Sequence, residues 1–143
     1  MSPLGPEWQA GPRIGTAAGE SAAFEYAVLR IVPRVDRGEF VNGAVLLYCQ
    51  ARGYLGLAVR PDLACVQALS GDADIEAIGA SLQRLASVVE EASAQAGQDG
   101  EPGRTFRWLT APRSAVIQPG PVHTGVTEEP ASDLARIAAR MLG

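Results

Sequence analysis

Gly43 to Arg60 reads GAVLLYCQARGYLGLAVR. Two short apolar runs, Gly43 to Cys49 and Tyr54 to Arg60, are split by Gln50-Ala51-Arg52-Gly53, a connection of hairpin length with a glycine available for the left-handed position. The runs are expected to pair antiparallel. Gly56, inside the second run, has no side chain to pack and points to a bulge or to a close backbone approach. Pro61 then ends the ladder.

Upstream, Phe24 to Val32 (FEYAVLRIV) is rich in aromatic and β-branched residues and stops at Pro33, which reads as another strand. Alternation puts Tyr26, Val28 and Arg30 on one face and Ala27, Leu29 and Ile31 on the other. Arg30 therefore shares a face with apolar groups, the mark of a sheet edge or of a site. The following PRVDRGEF alternates Arg34, Asp36, Arg37 and Glu39 about Gly38. A solvated loop is the commoner meaning of such a pattern, and a recognition loop the alternative. Met1 to about Ala22 is dominated by Gly, Pro, Ala and Ser, with Trp8 and Ile14 its only large β-branched or aromatic residues. That composition predicts a flexible extension at residues 1–22, followed by one domain at 23–143.

Downstream, Asp62 to Leu69 fits a short helix, with Gly71 as its C-terminal stop. Asp74 to about Ala94 carries Ile75, Ile78, Leu82, Leu85, Val89 and Ala92 at alternating steps of three and four, the stripe of an amphipathic helix capped by Asp72 or Asp74. Such a stripe more often packs on its own sheet than in a coiled-coil dimer. Gln95 to Arg104 reads as a loop. Phe106 with Trp108, and Val116 with Ile117, read as two short strands held to edge or loop positions by Pro112, Pro119 and Pro121. A last helix starts at Thr127 or Glu129, with Pro130 in its first turn and Leu134, Ile137, Ala138 and Met141 as its stripe. The expected fold is α+β, a small, mostly antiparallel, hairpin-rich sheet packed with one long and one or two short helices.

Composition closes several functional classes. A net charge of −4 disfavours a nonspecific nucleic-acid binder. Every basic residue is an arginine, so the Walker A loop, Schiff-base chemistry and Ser-Lys dyads are absent. Cys49 and Cys65 lie in apolar runs and read as packing thiols. With one histidine and no C-x-x-C, no metal site is indicated and no cofactor is expected. Neither a signal peptide nor a membrane span is legible, which sets the expectation of a cytoplasmic protein.

Reactive side chains and rigid backbone come together in WLTAPRSAVIQPGPVHTG, Trp108 to Gly125, which holds the chain's single histidine. Ser114 and His123 are the weak catalytic candidates, since no G-x-S-x-G elbow is present and nine positions with two prolines separate them. A structural histidine bonded to backbone is the commoner role. Arg113 is a fork suited to carboxylate or phosphate, with a local acidic partner as the plainer alternative. Arg30, Arg113 and His123 are expected near one another, and Arg30, Arg34, Asn42, Arg113, Ser114 and His123 make up the candidate binding surface.

YAVLRIVPRVDRGEFVNGAVLLYCQARGYLG together with FRWLTAPRSAVIQPGPVHTG resembles the bacterial family catalogued as domain of unknown function 3037, from about Phe24 to the C-terminus. Asn42-Gly43-Ala44-Val45 departs from that family's usual asparagine, valine, glycine, valine. The resemblance implies a small α+β protein with no assigned activity, whose relatives are often encoded beside a kinase-like protein, which suggests an accessory role with such a partner. Three readings follow: a noncatalytic binding or accessory protein that contacts a partner protein, a small enzyme using His123 with Arg113 or Ser114 on an anionic metabolite, and a homodimeric structural module built on the long helix.

Overall fold

The computed structural model describes residues 20–95 and 100–143, so the expected extension, with Trp8 and Ile14, lies outside the described residues up to position 19. Ala22 already belongs to the first strand. That strand, β1 (Ala22–Ile31), is followed by β2 (Val41–Cys49), a turn of 3-10 helix at Gln50–Arg52, β3 (Tyr54–Val59), helices α1 (Ala64–Leu69), α2 (Ile75–Ala94) and α3 (Glu101–Leu109), then β4 (Ile117–Thr127) and α4 (Pro130–Met141). The strands form one antiparallel sheet in the order β3-β2-β1-β4. The architecture is α+β, as expected.

The hairpin forms where the sequence places it. Gly53 takes φ 59° and returns its N–H to the carbonyl of Gln50, while Ala44 to Cys49 pairs without interruption against Val59 to Tyr54. Gly56 is therefore a point of close approach and not a bulge: a Cβ there would sit 2.9 Å from Leu134 of α4. The bulge lies one strand over. Leu29 pairs with Ala44 and Arg30 with Asn42, leaving Gly43 extra. A Cβ on Gly43 would lie 2.6 Å from Ile31, so the bulge places a glycine where it presses on a buried isoleucine.

Both faces of the sheet are covered. On one, Phe24, Val28, Val45, Leu47 and Cys49 meet Leu134 and Ile137 of α4. On the other, Leu46 and Leu55 meet Val89 and Ala92 of α2 and Phe106 and Leu109 of α3, while Ile31 and Val66 close on Ile78 and Leu82. The α2 stripe is thus spent on the chain's own sheet, at roughly 1.5 to 3 kcal/mol for each fully buried large side chain. The same residues cannot also form a coiled-coil seam.

The helix ends follow from their side chains. Asp74 caps α2 by accepting from the N–H of Ala77 at 3.1 Å. Asp74→Ala should lower stability by about 0.5 to 2 kcal/mol in denaturant titration, the usual value of such a cap. α1 ends at Ser70 in extended backbone, so Gly71 does not serve as a left-handed stop. α4 begins with Glu129 as N-cap and Pro130 in its first turn. Asp133, in that turn, accepts from Arg136 at 2.5 Å and from the hydroxyl of Thr127. Partial burial works against its ionisation, but the Thr127 and Arg136 bonds prevail and hold its carboxyl below the ordinary value.

One element differs in kind from the expectation. Phe106 and Trp108 lie on helix α3 and not on a strand, and the helix takes in Glu101 to Arg104 from the expected loop. Its buried residues are Pro102, Thr105, Phe106 and Leu109, a helical spacing of three and four. Pro102 sits in the first turn, where its missing N–H costs nothing, and Arg104 pairs with Glu101 at 2.7 Å. A Cβ on Gly103 would lie 2.7 Å from the Tyr48 hydroxyl oxygen, so the helix lies close against the sheet. β4 is longer than the short strand expected. It runs through Pro119 and Pro121 because it is the outer strand, where a missing N–H is tolerated.

Candidate functional site

The sequence candidates fall on two sides of the sheet. Cross-strand pairing sets Tyr26 opposite His123 and Arg30 opposite Gln118, all on the side that α4 covers over β2. The exposed His123 ring lies 5.1 Å from the Tyr26 ring, which in turn is 6.1 Å from Phe24. Arg30 reaches across the strand: its guanidinium sits 4.3 Å from the centre of the Phe40 ring, and a Cβ on Gly120 would lie 3.2 Å from its Nε. Among the described residues no carboxylate pairs with Arg30. The ring face of Phe40, a weaker partner for a cation, takes that place.

Arg34 and Asn42 are placed by structural contacts. Arg34 lies 3.5 Å from Asp36, both side chains well exposed, a pair that contributes about 0 to 1 kcal/mol. Asn42 donates through Nδ2 to the carbonyl of Met141 at 3.1 Å, and its own carbonyl accepts from Arg60 Nε at 2.7 Å. It ties the last turn of α4 to the sheet.

Arg113 is not with Arg30 and His123. It lies across the sheet, in a cleft of about 330 Å³ between α2, the end of α3, the 111–116 segment and the β1/β4 edge. Leu29, the neighbour of Arg30 in β1, points into this cleft, which fixes the two arginines on opposite faces. The expected grouping of Arg30, Arg113 and His123 is therefore not formed: Arg113 lies on the other face, and His123 pairs with Tyr26, four positions from Arg30 along β1. Ser114 is exposed between Arg113 and Ala115, both of which line the cleft, while His123 faces Tyr26 on the other side. The chain path thus does not set Ser114 and His123 up as a nucleophile and base.

The cleft floor is apolar, formed by Leu29, Leu85, Leu109 and Ile117, with Trp108 on its wall. Trp108 is 62% exposed, the most open large aromatic among the described residues. Over it lies Arg113, with its guanidinium carbon 5.2 Å from the ring centre. The same guanidinium donates to the carbonyl of Ala111 at 3.3 Å and to that of Trp108, which locks its fork at the C-terminal end of α3. Across the mouth, Arg84 donates to Ser81 at 2.9 Å. Among the described residues no carboxylate lines the cleft.

Sequence reading singled out Trp108 and Arg113 as neighbours in a notable segment, and Leu85 as part of the α2 stripe, but not Arg84 or Val88. Their only signal is position: Arg84 and Val88 form with Ser81 a second line along α2 at helical spacing, flanking the stripe that holds Leu85. Among the described residues, no three His, Cys, Asp or Glu side chains gather as a metal centre requires, and no helix is long and apolar enough to cross a membrane.

The family model described as Protein of unknown function (DUF3037) matches residues 26–142, nearly all of the chain. The chain belongs to that family. The match runs from within β1 to the end of α4, so both the cleft and Arg30 lie within the family's span. No curated protein and no solved structure matches.

Proposed function

We propose that this member of the DUF3037 family is a noncatalytic binding protein that holds a partner protein on the cleft beside Trp108. The observation that carries the reading is the exposed Trp108 with Arg113 stacked on it, at the wall of an apolar cleft whose rim continues through the exposed Val88 and Val116. Tryptophan and arginine are the residue types that most often dominate binding energy at protein interfaces, and they do so when seated beside a pocket. A surface tryptophan also costs solubility, so its place at a cleft mouth, next to further apolar groups, favours use in an interface. The dispersal of Ser114, His123 and Arg30 supports binding over catalysis, because nucleophile, base and anion-holding group are not assembled at one point. The kinase-like class implied by the family resemblance is the first partner to test.

The test is quantitative capture by the tagged full chain. Trp108→Ser is expected to lower capture of a stoichiometric partner at least tenfold, since loss of a central aromatic anchor typically costs 2 kcal/mol or more. Stability should change by no more than about 0.5 kcal/mol, as for other exposed positions. His123→Ala, on the opposite face, should leave capture intact. Capture that survives Trp108→Ser, or that is lost with His123→Ala, removes this cleft as the partner surface.

A further inference from the structure

We infer that the cleft selects an acidic partner segment, in which one or two large apolar side chains fill the floor and flanking carboxylates pair with Arg84 and Arg113. This rests on the cleft being the partner surface. It adds the chemistry of what is bound there.

The charge pattern is the argument. The chain has more acidic than basic residues, 16 against 12, yet among the described residues the cleft is bordered by two arginines and by no carboxylate. Elsewhere five of the described arginines pair with acids, Arg34 with Asp36, Arg37 with Glu39, Arg104 with Glu101, Arg107 with Glu25 and Arg136 with Asp133, while Arg30 sits on the Phe40 ring and Arg60 holds the Asn42 carbonyl. At the cleft, Arg113 holds the carbonyls of Ala111 and Trp108, and Arg84 holds the hydroxyl of Ser81, all neutral acceptors. A guanidinium has five N–H donors. The bonds just named use two on Arg113 and one on Arg84, so each fork keeps donors for an incoming anion.

The locking of Arg113 matters as much as its charge. Stacking on Trp108 and anchoring to the end of α3 remove most of the side-chain freedom that an arginine ordinarily loses on binding. The fork waits in position, and a carboxylate can meet it with two parallel bonds. The apolar floor between the two guanidiniums sets the order of groups in the ligand: acid, bulk apolar, acid. An apolar rim that continues to Val88 and Val116 fits a polypeptide segment lying across the cleft better than a small molecule enclosed by it.

Selection from a displayed library of random twelve-residue peptides, panned on the folded full chain, tests the inference. Wild-type protein is expected to enrich peptides with one or two of Leu, Phe, Ile or Trp flanked by Asp or Glu. Synthetic peptides from that pool should bind about tenfold more weakly when the acids are changed to Gln or Asn, the effect of losing a charge-assisted bond, and should weaken as salt is raised. The Arg84→Gln, Arg113→Gln double variant should enrich apolar peptides with no acid preference. Trp108→Ser should enrich none that compete for the cleft. Peptides enriched on the wild type through Trp108 but neutral or basic in their flanks would overturn the acidic selection and leave the partner surface standing. Peptides whose binding ignores Trp108→Ser would instead remove the partner surface.

Discussion

Phe106→Ala is expected to lower the free energy of unfolding by about 3 to 5 kcal/mol, the usual cost of deleting a fully enclosed aromatic ring. Phe106 is 0% exposed and stacks on Tyr48 at 5.5 Å, with Leu46, Leu55, Val89 and Leu109 in the same cluster. With Leu109 and the Arg107–Glu25 pair it holds α3 to the sheet, and as the most buried of these contacts its loss should also loosen the end of α3 that carries Trp108. Urea titration reads the first effect. Hydrogen exchange reads the second, as protection lost over Glu101 to Leu109 ahead of global opening. A loss below about 1 kcal/mol would mean that α3 is not held by this ring.

Leu82→Ala should cost about 2 to 5 kcal/mol through lost transfer energy and the cavity left behind. Leu82 is 3% exposed in a cluster with Ile31, Val66 and Ile78, so the cavity opens between α2, α1 and the sheet. The variant separates packing within one chain from packing between chains. The stripe as described predicts a less stable protein whose mass on sizing is unchanged. A variant of full stability that moves from dimer to monomer would place Leu82 in an interface between copies.

What was legible in the sequence was what local rules decide. The β2/β3 hairpin could be read because Gly53 alone supplies the left-handed residue its turn needs, and α2 because Ile78, Leu82, Val89 and Ala92 recur along one stripe of twenty residues. The last helix was legible from Pro130 and the charges around it. α3 was not, because glycine and proline early in EPGRTFRWL suggest a loop and the alternation of Phe106 and Trp108 imitates a strand. Spacing over the whole segment, Pro102 to Thr105, Phe106 and Leu109, carried the helical answer.

The candidate site was legible in half. Trp108 and Arg113 are neighbours in sequence and remain so, because α3 ends between them and Arg113 folds back on its terminus. The proposed meeting of Arg113 with Arg30 and His123 depended on which face each would take. The bulge of β1 against β4 between Ala27 and Leu29, and the reversal of the chain at Pro112 to Val116, fix those faces, and neither has a local signature. Arg84 carries no signal of its own and becomes notable only once the sheet edge lies beside it.

The strand order has a consequence for when the cleft can form. β1 is flanked by β2, its near neighbour in sequence, and by β4, whose partners lie roughly a hundred positions further along the chain. Closing so long a loop is slow relative to closing a hairpin, which places β4 among the late arrivals in folding. Until it docks, one edge of β1 lies open and the cleft lacks the wall formed by Ile117 and Pro119. A nascent chain on the ribosome therefore carries Leu29, Arg84 and Trp108 well before these residues can act together. The cleft is therefore completed in one late step, and the surface proposed for a partner stays unfinished until the residues through Thr127 have emerged.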